Sequence, residues 1–164
     1  MSIAESLLPE YDNEMANTRK MLEAIPNDQL AFKPHEKSNE MAGLVTHLVT
    51  IPGWGADTIK TDSLDFTGFT PPPAVKSREE AIEIFNKNTA AARGAIAGAS
   101  DEALFQNWTL SGNGQVFFTM PRIAVLRSFV MNHIIHHRAQ LGMYLRLAGA
   151  KVPGMYGPSA DETM

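Results

Sequence analysis

The chain contains no cysteine. Disulfides, thiolate nucleophiles and thiolate metal ligands are therefore excluded, and any metal site must be built from nitrogen and oxygen donors. No apolar run reaches the roughly 18 residues that a membrane span needs. The opening residues, Met1-Ser2-Ile3-Ala4-Glu5, show no basic stretch followed by an apolar one, so no secretory leader is expected. Blocks of positive charge are also missing. With 14 Lys+Arg against 18 Asp+Glu, the formal net charge is -4, which argues against a non-specific grip on nucleic-acid phosphates. Repeats, low-complexity tracts and composition breaks are absent as well. What remains is a cytoplasmic protein of one domain, with no membrane and no nucleic acid among its expected partners.

Within its 164 residues, 44% are apolar, enough for one sizeable core. Ser2-x-x-Glu5 is a capping box, and apolar residues at helical spacing from Ile3 to Leu22 predict a first helix over roughly 2–24, which Pro9 would bend or delay. A loop runs from Ile25 to Ser38. Ser38 or Asn39 is expected to cap a second helix over roughly 39–61, with a kink or break at Pro52. Residues 62–76, with Gly68 and Pro71-Pro72-Pro73, read as an extended crossover loop. A second box, Ser77-x-x-Glu80, opens a third helix over roughly 77–98, and Ser100-Asp101-Glu102 caps a short turn through Phe105. Trp108–Leu110 and Gln115–Thr119 flank a turn and form either a small hairpin or an ordered loop. The last helix starts near Pro121 and ends at Leu147 before Gly149. The tail from Val152 to Pro158 is non-helical and is expected to pack on the body. Four long amphipathic segments in one small domain make an all-α four-helix bundle, with a small extended or hairpin segment before the last helix.

Three of the five histidines fall in the run Asn132 to Gln140. His133 and His137 are four residues apart and share a helix face, the spacing by which a helix offers two imidazoles to one ion. On a wheel of about 100° per residue, Leu126, Val130 and Tyr144 fall beside them, and Phe129 and Gln140 lie close on the other side. The pair is thus expected in the middle of the buried stripe. His136 flanks it, while Arg127, Arg138 and Arg146 point mostly away. His47, with Leu44, Ile51 and Trp54 around it, faces inward from the second helix. Three inward imidazoles leave a coordination position open, as catalytic zinc-type sites do. The bland alternative is three neutral core histidines, each bonded to a neighbouring polar group. His136 could replace either member of the pair, or support it from outside. Gln140 is placed to hydrogen-bond a ligand or a substrate, or simply to bridge helices. Tyr11 and Asp12 could reach the site from the first helix. Arg138 reads as a solvated or salt-bridged residue, His35 as a solvated loop residue. A His-Glu-x-x-His motif is absent, and no carboxylate stands at a helical offset that would make it a general base.

The run from Asn132 through Leu147 resembles the last-helix signature of the DinB/YfiT-like superfamily. The tail from Val152 to Glu162, the segment from Asn107 to Arg122 and the segment from His47 to Trp54 fit the same pattern. The resemblance covers nearly the whole chain. It implies an up-down-down-up four-helix bundle, often homodimeric. It also implies a divalent metal, zinc or nickel, held by one histidine of the second helix and two of the last, here His47, His133 and His137. It implies a metal-dependent enzyme acting on a small molecule. The activities implied are thiol S-transfer or isomerisation, using an exogenous low-molecular-weight thiol such as bacillithiol or mycothiol, or hydrolysis. The alternative is a non-catalytic metal-binding bundle of a stress response inducible by DNA damage, which by itself implies no DNA binding.

Overall fold

The computed structural model describes residues 1–162. Helix α1 (Ile3–Glu23) begins at the expected box: Ser2 accepts from the Glu5 backbone N–H, and Glu5 accepts from that of Ser2. Pro9 neither delays nor ends it. Its ring lies on the exposed face, away from the residues that α1 buries, Leu7, Tyr11 and Met15 among them.

A 3-10 turn (Asn27–Gln29) leads to α2 (Met41–Lys60). Neither Ser38 nor Asn39 caps this helix. The N-cap is Glu40, and it makes no side-chain cap bond. The first N–H groups of α2 are instead taken by the preceding loop: Met41 donates to the Phe32 carbonyl and Ala42 to that of Leu30, both at 2.9 Å. Main-chain acceptors thus do the work of a cap. Nor does Pro52 break α2, which runs through it. Asn88, reaching across from α3 (Arg78–Ala97), donates to the Val49 carbonyl at 2.9 Å beside the interruption.

Ser77 caps α3 through the Glu80 N–H, but the second box is only half made. The Glu80 carboxylate takes the Lys76 N–H, at 2.6 Å, instead of the Ser77 N–H. Ser100 caps the short α4 (Asp101–Phe105). The extended pieces are a true hairpin, β2 (Asn107–Gly112) and β3 (Gln115–Pro121). Asn113 and Gly114 join them with φ of 51° and 75°. Two left-handed residues give the primed turn whose twist suits a hairpin, and Asn-Gly supplies both at little strain. A third strand, β1 (Ser63–Asp65), lies in the stretch read as open loop and pairs parallel to β2.

The last helical segment is not uniform. It comprises α5 (Arg122–Val125), a π-helical turn (Leu126–Met131) and α6 (Asn132–Leu147). The four long helices contact one another as a ring, α1 on α3, α3 on α2, α2 on α6 and α6 on α1, around one apolar core. The sheet covers a smaller cluster of Trp108, Leu110 and Val125. No helix among the described residues is long and apolar enough to cross a membrane.

The buried residues of α6 are Ile134, Arg138, Leu141 and Leu145. This stripe is centred roughly a quarter-turn from the one drawn on the wheel. His133 and His137 therefore sit on its edge, half-buried, instead of at its middle. Arg138 belongs to this stripe. It is buried, pairing with Glu14 of α1 at 2.7 Å and donating to the Glu14 carbonyl at 3.0 Å. Tyr156 of the tail closes the group, accepting from Arg138 at 2.6 Å and donating to the Glu14 carboxylate at 2.8 Å. The tail thus packs on the body as expected, and Val152 and Met155 add apolar contact.

Candidate metal centre

α2 and α6 lie side by side and turn three imidazoles toward one point. Ring centroids are 4.6 Å apart for His47 and His137, 4.7 Å for His133 and His137, and 5.0 Å for His47 and His133. One nitrogen from each ring falls within 4.8 Å of the other two, and His47 Nε2 is 3.2 Å from His133 Nε2. Two nitrogens bound to one zinc at about 2.0–2.1 Å, at tetrahedral angles, would stand about 3.3 Å apart. This spacing fits a shared ion. Among the described residues no other group of three His, Asp or Glu side chains converges in this way.

Neighbouring side chains hold the cluster from outside. His137 Nδ1 donates to the Gln140 side-chain oxygen at 2.7 Å, which leaves Nε2 with its lone pair. The Gln140 amide donates in turn to His136 Nε2 at 3.1 Å, so His136 supports the pair from the exposed side and is no member of the cluster. The Phe129 carbonyl lies on the His133 side and slightly favours that ring's protonated form, and this carbonyl belongs to the π-helical turn. Such turns offset the backbone ladder by one residue, and they recur at functional sites. Trp54 stacks on Phe129, centroids 5.2 Å apart, and closes over His47 and His133 at 5.7 Å from each.

Burial holds all three imidazoles below their ordinary pKa. Desolvation is the main cause throughout; His137 adds to it at His47, and His137 and then His47 add to it at His133, which falls to about 4. At His137 the Gln140 bond opposes the desolvation in part. The cluster is neutral at pH 7 and offers lone pairs to a cation.

The site opens on two spaces. A cleft of about 900 Å³ has His47, His137, Trp54, Phe66 and Phe69 in its wall. A smaller one of about 430 Å³ lies on the other side, walled by His47, His137, Gln140, Tyr144 and Lys37. Neither has a carboxylate in its lining among the described residues. Tyr11 and Asp12 do not reach the site: Tyr11 donates to the Thr89 carbonyl and Asp12 pairs with Arg93. His35 is exposed in its loop. The walls contributed by Phe66 and Phe69 went unread in the sequence. Their one signal was aromatic residues in an otherwise polar, proline-rich crossover.

A profile of the DinB family matches residues 1–163. The uncharacterized protein YrdA of Bacillus subtilis is 26% identical over 168 residues, which span 96% of this chain and 90% of the relative. Among solved structures, a DinB-like protein from Bacillus cereus superposes with a TM-score of 0.74 at 23% identity, covering 94% of this chain and 98% of its own. A second, the DinB-like protein YjoA of Bacillus subtilis, gives 0.70 at 20% identity, covering 92% and 97%. At these identities the two structures carry the fold alone.

Proposed function

The chain belongs to the DinB family, and from that premise we propose that it is a divalent-metal-dependent enzyme acting on a small molecule, its ion held by His47, His133 and His137. The observation that carries this reading is the convergence of three neutral imidazoles at the junction of two clefts. A metal that only stapled two helices would need no such access. A divalent ion, zinc or nickel, supplies a Lewis acid that draws the pKa of a water or thiol bound to it down toward neutrality. The chain's own residues then orient and shelter. Gln140 fixes the ring of His137, and Trp54 packs against the rings of His47 and His133.

With no carboxylate base in either wall among the described residues, an exogenous low-molecular-weight thiol is favoured over hydrolysis, because water starts much further from ionisation and asks more of the ion. A thiol begins near pKa 8.5 and loses its proton on coordination without a base. Thiol-dependent S-transfer is therefore the first reading and hydrolysis the second. A cytoplasmic homodimer with the up-down-down-up bundle completes the reading, and the ring of helix contacts supports the bundle.

The test is elemental analysis of protein purified without a metal-affinity step, followed by re-titration of a chelated sample with zinc and nickel. We expect about one ion per chain, lost in His47→Ala, His133→Ala and His137→Ala and kept in His136→Ala. A chain that takes up neither ion sinks the enzyme reading.

A further inference from the structure

We propose that the substrate of this site joins an uncharged, apolar and preferably aromatic half, seated in the large cleft, to a smaller polar half on the Gln140 side. The inference rests on the metal reading and specifies what meets the ion. The two clefts share His47, His137 and Asn39, so the reacting bond lies where apolar and polar walls meet.

On the large side the wall has no Lys, Arg, Asp or Glu among the described residues. Trp54, Phe66 and Phe69 form an edge-to-face series, with centroids 6.0 Å and then 5.2 Å apart. Pro71 and Pro72 continue the rim and have no N–H to donate. The two threonines in this wall are already committed. Thr46 Oγ1 donates to the Ala42 carbonyl at 2.7 Å and accepts from the Val75 N–H at 2.8 Å. Thr50 Oγ1 donates to the His47 carbonyl at 2.9 Å. Of the polar groups, the Asn39 amide, the imidazoles and the Thr50 oxygen, as an acceptor only, are left for an occupant. A charge placed here would lose its water and gain no partner, an expensive transfer. A flat apolar group would gain aromatic contact on several sides. The small side differs, with the Gln140 amide, the Tyr144 hydroxyl and Lys37 in its wall.

The experiment starts from metal-free protein and the neutral fluorescent probe N-phenyl-1-naphthylamine, displaced by either 2-naphthamide or 2-naphthoate, which share a ring system and differ in charge. The amide should displace the probe at a concentration at least tenfold lower than the carboxylate. Gly43→Leu should weaken probe binding at least tenfold. Gly43 lies in the large cleft's wall, and a Cβ there meets only Asn39 Cβ, at an ordinary 3.7 Å. Because the change also favours the helix, the variant should fold, and circular dichroism checks this. Equal displacement by the carboxylate, or wild-type binding by a folded Gly43→Leu, overturns the apolar cleft. In a second arm, zinc should tighten 2-naphthohydroxamate at least tenfold relative to 2-naphthamide. Stoichiometric zinc with no such gain overturns the cleft as the seat of this site's substrate. Failure to bind zinc strikes the metal reading instead and leaves the first arm to decide the cleft.

Discussion

Gln140 sits outside the histidine cluster yet sets its geometry. Its oxygen holds His137 Nδ1–H at 2.7 Å, and its amide is held by His136. Partners of this kind typically account for a 10–100-fold difference in metal affinity. Gln140→Leu should therefore bind zinc about 10–100-fold more weakly, with an unchanged far-ultraviolet spectrum. A second expectation concerns acid. In metal-free protein, folding holds His133 down at about 4 from 6.5, desolvation being the chief cause. Above pH 6.5 the ring is neutral in both folded and unfolded chains and contributes no pH dependence. As pH falls from 6.5 toward 4, the unfolded chain takes up a proton that the folded one refuses, so stability drops, and this group's contribution levels off below about 4. Melting curves at pH 8, 6 and 5 check this, and His133→Gln should flatten the decline. At this scale the histidines were legible from identity and helical phase, with His136 left open as a replacement, and the structure brings His47, His133 and His137 together. The sequence was misleading for Arg138. A charge on a wheel reads as solvent-facing, and nothing local shows that Glu14, 124 positions away, will bury it.

The joined elements carry the next consequence. Arg138 and Glu14 tie α6 to α1, with side chains only 3% and 8% exposed. Removing one partner of such a pair strands the other and costs about 3–5 kcal/mol. Arg138→Met should therefore lower Tm by about 10 °C, at about 2–4 °C per kcal/mol for a chain of this size. Glu14→Leu combined with Arg138→Met should regain most of that loss, as differential scanning calorimetry would show. Helix positions were readable because capping serines and apolar periods are local: α1 and α3 fall within a residue or two of their expected ends. Three features were hidden because their causes lie far along the chain. The α2 start is capped by Leu30 and Phe32 carbonyls. β1 exists through pairing with residues 109–111. The π-helical turn rotates the histidine pair relative to α5 with no glycine or proline to announce it.

Over the whole molecule, the acidic balance governs encounters. A net charge of -4 with no basic block works against binding to polyanions. Fluorescence anisotropy with a 20-base-pair duplex should show no sub-micromolar binding at 50 mM salt, and a steep salt slope would contradict this. The Glu14–Arg138–Tyr156 group joins residues far apart in the chain, Glu14 and Tyr156 being 142 positions apart. Synthesis therefore makes Glu14 early and its final hydrogen-bond donor late. Until Tyr156 has been made, the Glu14–Arg138 pair that joins the first helix to the last lacks its third partner. A chain stalled before that point should keep a wet carboxylate where the finished protein keeps a dry one. Completion of this polar group thus waits on a residue made 142 positions after its acid.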